Sequence, residues 1–247
     1  MRVLGVIPAR LGSTRLPSKP LQMLAGEPLI TRVIRRVQEH GLVDELVVAT
    51  DSPMVAQVVE RSSVRAVLTD GGHRSGTDRV AEVAERPEFA GADVVVNVQG
   101  DEPFLVREAL AGAIDRVSQG DDIGTAAAPL DPALADDPAR VKVVTDARGR
   151  ALYFSRAAIP HLREEADPSP RLYWQHLGLY AYTRQALRRW SSLEPSPAEL
   201  AERLEQLRAL HHGLRIGVAL LAEPVEPGVD TPDDLRRAEA HWHALQR

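Results

Sequence analysis

Hydrophobic and polar positions follow two different rhythms along the first half of the chain. Continuous apolar runs, typical of strands buried on both faces, occupy Val3–Ile7, Glu45–Thr50, Arg65–Leu68 and Asp93–Val98. Apolar residues at helical spacing lie between and after these runs, and they predict helices at 29–41, 53–61, 77–84 and 106–119. The alternation of strand and helix predicts an α/β fold with a mainly parallel, Rossmann-like central sheet and helices on both faces.

The second half of the chain is richer in strands. Apolar runs at 141–145 and 151–155 flank turn residues at 146–149, a pattern that predicts a β-hairpin. Further strands are expected at 177–182 and 216–220, and an amphipathic helix is expected at 198–211.

The last helix has a clear start. Thr231 is a good N-cap, Pro232 suits the first helical position, and two aspartates follow in the first turn. We therefore expect a single domain over 1–247, with a β-rich insertion at approximately 140–195 and its clearest loop at 163–170.

Composition narrows the class of protein. The net charge of −5, from 30 basic and 35 acidic residues, argues against a general nucleic-acid-binding protein. The absence of cysteine excludes disulfides and thiolate chemistry. The first apolar run is too short for a signal peptide, and no stretch approaches the length of a membrane span, which predicts a cytoplasmic protein without membrane insertion.

The stretch PARLGSTRLPSKPL directly follows the first predicted strand and concentrates positive charge. Arg10, Arg15 and Lys19 surround a glycine–serine–threonine turn in which Ser13 offers a hydroxyl and an N–H group. Such a loop could hold a phosphate, or it could be a solvated basic loop. The spacing of a P-loop is absent, and so is the glycine fingerprint of dinucleotide-binding proteins, which disfavours a nicotinamide-dependent dehydrogenase.

Two aspartates are candidate ligands for Mg²⁺. Asp101 comes shortly after the strand at 93–98, where open parallel sheets bind ligands, and Gln99 beside it could read a base edge. Asp230 precedes the last helix, whose cap is already supplied by Thr231, so its carboxylate is left for another use. Together they could hold metal against a triphosphate. Alternatively, Asp101 caps the next turn.

A third polar cluster is HRSGTDR, which contains His73, Ser75 and Arg79. Its serine, glycine and threonine could open a helix toward a phosphate. Plain helix capping explains the same residues equally well.

Seven segments together resemble the 3-deoxy-manno-octulosonate cytidylyltransferase (CMP-Kdo synthetase) family. In chain order they are IPARLGSTRLPSKPL, HRSGTDR, VNVQGDEP, ALYFSRAAIP, HLGLYAY, EPSPAELAERLEQLRAL and GVDTPDDL. The resemblance runs from Val6 to Leu235 and covers nearly the whole chain. The first motif marks CMP-sugar synthetases in general, whereas LYFSR, HLG-x-Y and LEQLR narrow the resemblance to the branch that uses 3-deoxy-manno-octulosonate (Kdo).

The resemblance implies a fold of the nucleotide-diphospho-sugar transferase type and the transfer of CMP from CTP to Kdo, with release of pyrophosphate. The CTP phosphates would then be held by Arg10, Ser13, Arg15 and Lys19, with Lys19 stabilising charge that develops at the α-phosphorus. Gln99 would contact cytosine, helped by His73, Ser75 and Arg79. Asp101 and Asp230 would hold Mg²⁺.

The resemblance also implies a Kdo pocket lined by Arg156, His176, Tyr180, Glu205 and Gln206. From the residues alone, His176 and Tyr180 fit packing within a strand, and Arg156 could be a surface cation, although a guanidinium suits the carboxylate of Kdo. The last two residues would lie in the middle of the helix at 198–211, where side chains usually face water.

The family forms homodimers and supplies lipopolysaccharide synthesis, which implies a homodimer joined through the β-rich insertion. Two departures bear on the sugar site: Asp137-Pro138-Ala139 stands where N-P-N is frequent, and the stretch between Pro160 and His176 is short. The alternatives are the same reaction on 8-amino-Kdo or on a sialic-acid-type sugar, and a non-catalytic nucleotide-binding protein. The last predicts loss of Lys19 or of the two aspartates, all of which are present.

Overall fold

The structure, a computed structural model, describes residues 1–13, 15–163 and 172–246. In chain order its strands are β1 (Val3–Ala9), β2 (Met23–Leu24), β3 (Glu27–Pro28), β4 (Glu45–Thr50), β5 (Arg65–Leu68), β6 (Val94–Asn97), β7 (Ile123–Pro129), β8 (Lys142–Thr145), β9 (Ala151–Ser155), β10 (Trp174–Thr183) and β11 (Ile216–Leu220). Its α-helices are α1 (Leu29–His40), α2 (Pro53–Glu60), α3 (Gly76–Glu85), α4 (Arg107–Ser118), α5 (Arg184–Ser191), α6 (Pro197–Glu202), α7 (Gln206–His211) and α8 (Pro232–Leu245).

These elements form two compact units, one made of 1–105 with 226–247 and the other of 106–225. The single-domain assignment with an insertion at approximately 140–195 stays a prediction. The expected loop at 163–170 lies outside the described residues, apart from Arg163.

The first unit contains a fully parallel sheet in the order β6–β1–β4–β5. Its strands read as apolar runs because both faces are covered, and Val6, Val47 and Val95 are fully buried. The predicted mainly parallel sheet with flanking helices is therefore found here. Parallel strands end at one edge, so the segments that follow Ala9 and Asn97 emerge side by side.

The second unit contains a mixed sheet. β7 pairs in parallel with β11 and antiparallel with β10, while β8 pairs antiparallel with β10 and with β9. The predicted hairpin at 141–155 is confirmed as β8 and β9. The sequence analysis missed β7, whose IGTAAAP segment is rich in small residues that favour strands weakly, and it also missed α5.

Strand β10 carries an irregularity that matters for the site. Its pairing with β7 shifts register between Leu177 and Tyr180, so two extra residues, Gly178 and Leu179, are accommodated there. Thr125 of β7 is paired with Tyr180, next to this bulge, and is completely buried.

The expected helix over 198–211 is wrong as a single element. It breaks after Glu202, because Arg203 adopts a left-handed conformation with φ of 55°, and helical structure resumes at Gln206. The guanidinium of Arg156 donates hydrogen bonds to the carbonyls of Glu202 and Arg203. These contacts satisfy carbonyls that a helix end leaves unpaired, so tertiary structure overrides the periodic pattern.

The start of α8 is as predicted. Thr231 caps it, and a capping box with Asp234 is complete. Within the part of the chain that the structure describes, no helix is long and apolar enough to cross a membrane.

Candidate active site

The basic loop after β1 is anchored by two buried residues. Leu16 joins an apolar cluster with Leu24, Leu29, Phe104 and Val229. Pro20 is buried within a short 3₁₀ turn over Lys19–Leu21. Ser18 adopts a left-handed φ of 51° just before this turn. The loop is thus pinned on both sides of Lys19, and the direction of that side chain is fixed.

The ammonium group of Lys19 lies between two carboxylates. It donates hydrogen bonds to Asp101 and, at 2.9 Å, to Oδ1 of Asp230. Arg15 lies 3.1 Å from the same oxygen of Asp230. Burial by itself lowers the pKa of Lys19, but the charges and hydrogen bonds of Asp101 and Asp230 outweigh it and raise the pKa above its usual value. Lys19 therefore stays charged. The structure brings Arg15, Asp101 and Asp230 together around it.

The chain brings Asp230 to Asp101 through backbone contacts. The N–H of Val229 donates to the carbonyl of Asp101 at 2.8 Å, and the Val229 side chain is completely buried. Gly228 permits this approach, because a Cβ atom there would lie 2.8 Å from Glu102 Oε1 and 3.1 Å from Asp101 O. The Gly-Val-Asp-Thr sequence therefore supplies in turn a close approach, an anchor, a carboxylate and a helix cap.

Glu102 is a member of this cluster that the sequence analysis missed. Burial, together with the charges of Asp101 and Asp230, raises the pKa of Glu102 to about 8. Burial is the largest cause of this shift, and the charge of Lys19 opposes it. Its adjacency to Asp101 in VNVQGDEP was the available signal, but residues next to each other in a chain do not normally point the same way.

The cluster fits a hard divalent cation. Asp101 and Asp230 direct carboxylate oxygens at one cation, the ammonium of Lys19, and such a pair of hard oxygen donors also suits Mg²⁺. No group of three or more His, Asp and Glu side chains within the described ranges is arranged to hold a metal ion by itself. Mg²⁺ usually takes one or two carboxylates and completes its coordination with water and phosphate oxygens, which this donor set allows.

The remaining cations of the loop face solvent. Arg10 is exposed, and 63% of the Arg15 side chain is exposed. The hydroxyl of Ser13 accepts a hydrogen bond from the N–H of Leu16 at 3.3 Å, and its contact with the CTP phosphates stays a prediction. The two arginines can approach an anion in front of the loop, while Ser13 shapes the loop.

Gln99 lies beside the start of α3. A Cβ atom at Gly76 would lie 4.0 Å from Gln99 Oε1. Gly100 is required for the neighbouring turn, because a Cβ atom there would lie 3.0 Å from the carbonyl oxygen of Pro8. Ser75 caps α3 through a hydrogen bond from the N–H of Asp78. Gln99 thus lies close to the first turn of α3, which Ser75 caps, and the contact of either residue with cytosine stays a prediction.

His73 and Arg79 have partners within the protein. His73 Nε2 lies 2.6 Å from Glu82, and the buried Arg79 side chain donates to Asp51 at 3.1 Å and to Thr69. Burial raises the pKa of Glu82, but hydrogen bonds from Arg86, His73 and the backbone outweigh it and lower the pKa to about 2. These residues hold the loop before α3, and their contact with cytosine stays a prediction.

The second unit contains the five residues of the expected sugar pocket, and among them Arg156 is held by backbone carbonyls. Its guanidinium donates to the carbonyls of Glu202 and Pro138 at 2.8 Å each and to that of Arg203 at 3.4 Å. All three hydrogen bonds that its side chain makes within the described residues go to uncharged backbone oxygens. The guanidinium is thus oriented while its charge is left for an anion.

Glu202 and Lys142, which the sequence analysis missed, hold the backbone of Arg156. Glu202 accepts hydrogen bonds from the Ser155 hydroxyl at 2.6 Å and from the N–H of Arg156 at 2.9 Å. Lys142 is completely buried, and its ammonium donates to the carbonyls of Asp137 and Arg156. For Lys142 the available signal was a lysine between two valines at the start of a strand, because a buried lysine needs specific partners.

His176 and Tyr180 lie on β10 within an aromatic cluster. The His176 ring is 4.8 Å from that of Phe154 and 5.4 Å from that of Tyr180, which in turn packs against Trp190. Burial lowers the pKa of His176 to about 3. Burial, Tyr182 and the charge of Glu205 raise the pKa of Tyr180. At neutral pH both side chains are therefore uncharged.

Glu205 and Gln206 do not lie in the middle of a helix, contrary to the sequence expectation. The break after α6 places Glu205 immediately before α7 and Gln206 at its first position. Gln206 is only 4% exposed, so it does not face water. The break brings the charge of Glu205 close enough to affect Tyr180.

A sequence profile described as cytidylyltransferase matches residues 4–216, which is most of the chain. The chain belongs to the cytidylyltransferase family. Its curated relatives include the 3-deoxy-manno-octulosonate cytidylyltransferase of Gemmatimonas aurantiaca, 56% identical over 99% of this chain and 96% of the relative. The enzyme of the same name from Methylococcus capsulatus is 50% identical over 96% of this chain and 95% of the relative.

Two solved structures have a fold similar to that of this cytidylyltransferase. CMP:2-keto-3-deoxy-manno-octonic acid synthetase, solved in complex with CTP, superposes with a TM-score of 0.90 at 38% identity, covering 99% of this chain and 100% of that one. The 4-diphosphocytidyl-2C-methyl-D-erythritol synthase of Anaerococcus prevotii superposes with a TM-score of 0.64 at 14% identity, covering 100% of this chain and 99% of that one, and it shares the fold alone.

Proposed function

We propose that this cytidylyltransferase transfers CMP from CTP to the anomeric hydroxyl of Kdo and releases pyrophosphate. The observation that carries the proposal is Lys19 held between Asp101 and Asp230 at the carboxyl ends of the parallel strands. Relatives up to 56% identical carry the name of this activity.

The nucleotide is held by residues of the first unit. Arg10 and Arg15 approach the phosphates of CTP from the solvent side of the loop, and Lys19 stabilises the charge that develops as the hydroxyl oxygen attacks the α-phosphorus and the bond to pyrophosphate breaks. Gln99, which lies beside the start of α3, contacts cytosine. Asp101 and Asp230 would hold Mg²⁺. When bound, Mg²⁺ supplies charge neutralisation and lowers the pKa of the attacking hydroxyl.

The sugar acid is held by residues of the second unit. Arg156 binds its carboxylate with the charge that its backbone partners leave uncompensated. The uncharged His176 and Tyr180 suit hydroxyl groups better than a second carboxylate. Glu205 and Gln206 complete the pocket from the start of α7.

The experiment is pyrophosphate release with CTP and Mg²⁺, compared for Kdo, its 8-amino analogue and sialic acid. Release with Kdo and little with the others is the expected result. Release only with the amino analogue moves the proposal to that sugar with the same chemistry. If folded protein binds CTP but releases no pyrophosphate with any of the three, the proposal fails.

We also propose that the protein is a homodimer joined through the β8–β9 hairpin. Leu152 is 62% exposed and Tyr153 is 38% exposed on β9, an apolar surface of the kind that dimers cover. Sedimentation of the native protein and of Leu152→Glu tests this. A dimer that becomes a monomer in the variant supports the interface, and a native monomer overturns it.

A further inference from the structure

Thr125 is at the centre of a small buried hydrogen-bond network beside the bulge of β10. Its side chain is completely buried. Its hydroxyl oxygen lies 2.7 Å from the carbonyl oxygen of Leu179, 3.2 Å from that of Leu177 and 3.0 Å from Nε2 of His176. The register shift between Leu177 and Tyr180 turns both carbonyls toward this one hydroxyl.

Counting protons settles the roles in this network. Both carbonyl oxygens can only accept, and a hydroxyl has a single proton to donate. Donation to Leu179 O, the nearer carbonyl, satisfies a buried acceptor that would otherwise be costly. The hydroxyl oxygen can then only accept from His176, so Nε2 carries the proton. Since burial keeps the ring neutral, its other nitrogen, Nδ1, has a free lone pair.

We propose that Thr125 is a positioning residue that fixes His176 as the Nε2–H tautomer and so leaves Nδ1 as an acceptor for a hydroxyl of the sugar acid. Within the described part of the chain, His176 makes no side-chain hydrogen bond besides the one to Thr125. An acceptor held in a mostly aromatic wall selects a donor such as an alcohol and disfavours a carboxylate. The second half of the proposal rests on the proposed function.

The tautomer is tested first, on the whole protein without substrates. The ¹⁵N chemical shifts of the imidazole nitrogens distinguish a protonated nitrogen from an unprotonated one, and the signals missing from His176→Gln assign the ring. We expect Nε2–H in the native protein and in Thr125→Ser, which keeps the hydroxyl. Thr125→Val, which has the same shape without it, should lose this tautomer. Nδ1–H in the native protein overturns the proposal without any variant, and so does an unchanged tautomer in a folded Thr125→Val.

The hydroxyl contact is tested by kinetics. Thr125→Val should raise KM for Kdo about tenfold, the effect of one lost hydrogen bond, and should leave KM for CTP unchanged. Thr125→Ser should have a KM for Kdo close to that of the native protein. A purely structural role would lower the melting temperature and change both KM values together, which overturns the proposal. If native protein releases no pyrophosphate with any sugar, the proposed function fails, and the nitrogen shifts still decide the role of Thr125.

Discussion

Charged side chains are held in two different ways around Lys19 in the first unit and around Arg156 in the second. In the first unit Lys19, Arg15, Asp101 and Asp230 hold one another, so each charge is balanced by another side chain. In the second unit the guanidinium of Arg156 is held by neutral backbone carbonyls. The first arrangement has partners to exchange when a charged ligand binds, whereas the second has its geometry fixed in advance and its charge uncompensated.

This difference matches the ligand that each region is proposed to bind. A triphosphate with a divalent cation brings large charges of both signs, and exchangeable ion pairs can rearrange around them without leaving a charge unpaired. A sugar acid brings one carboxylate and several hydroxyls, and preorganised donors recognise these without reorganisation. The comparison therefore predicts that substitutions in the first unit affect chemistry and metal binding, while those in the second affect sugar recognition.

The largest expected effect tests the first unit. Asp101→Asn keeps the shape of the side chain but removes the negative charge that faces Lys19 and the proposed metal. Turnover should therefore fall by about 10³-fold, as expected for the loss of several kcal/mol of transition-state stabilisation. Steady-state pyrophosphate release measures this. Asp233→Asn, at an exposed aspartate in α8, is the matched control and should be nearly normal. Near-normal turnover in Asp101→Asn would remove this residue from the site.

A second prediction separates the two roles of Lys19. Lys19→Met keeps the length of the side chain without its charge, and should lower turnover by about 10²-fold, the size of one lost electrostatic donor. The same variant should bind Mn²⁺, a paramagnetic probe of the Mg²⁺ site, about tenfold more tightly in the absence of CTP, because the ammonium no longer competes for the carboxylates.

Electron paramagnetic resonance measures the free Mn²⁺ in this experiment. Arg61→Met, at an exposed cation immediately after α2, is the control and should leave both quantities unchanged. Weaker Mn²⁺ binding in Lys19→Met would show that the ion pairs hold the carboxylates in place instead of competing with a metal.

A third prediction tests the fixed geometry of the second unit. In Glu202→Gln, an NH₂ group, which donates, takes the place of one of the two carboxylate oxygens. One of the hydrogen bonds from the Ser155 hydroxyl and the N–H of Arg156 is then lost, so Arg156 is held less firmly. We expect KM for Kdo to rise about tenfold while KM for CTP stays the same. Glu194→Gln, at an exposed glutamate, is the control. Equal changes in both KM values would contradict a role confined to the sugar.

The sequence predicts the first region well and the second poorly, for a physical reason. Lys19, Asp101 and Asp230 follow strands or precede a capped helix, and the edge of a parallel sheet brings such segments together whatever the details of packing. The second region depends on the helix break at Arg203 and the bulge in β10, which arise from tertiary contacts of Arg156 and Thr125. These contacts join residues that are far apart in the chain, so the local pattern of apolar residues does not predict them.

The smallest expected effect concerns the loop that carries His73. Glu82 accepts hydrogen bonds from His73, Arg86 and the N–H of Asp70, and these lower its pKa from the ordinary value of 4.5 to about 2. A carboxyl group whose pKa is lower in the folded state stabilises the protein above its unfolded pKa, and this contribution disappears as the pH falls through the folded pKa.

Glu82→Gln should therefore lower the melting temperature by about 2–4 °C at pH 7, which corresponds to about 1 kcal/mol after allowing for partial exposure to solvent. The difference between native protein and variant should narrow between pH 4.5 and pH 2, and melting curves at pH 7, 4.5 and 3.5 measure the start of that narrowing. Glu60→Gln, at an exposed glutamate that ends α2, should change the melting temperature less and without this dependence on pH. A difference for Glu82→Gln that stays constant from pH 7 to pH 3.5 would show that packing holds the loop before α3. The contrast between exchangeable charges and fixed geometry would then not extend to that loop.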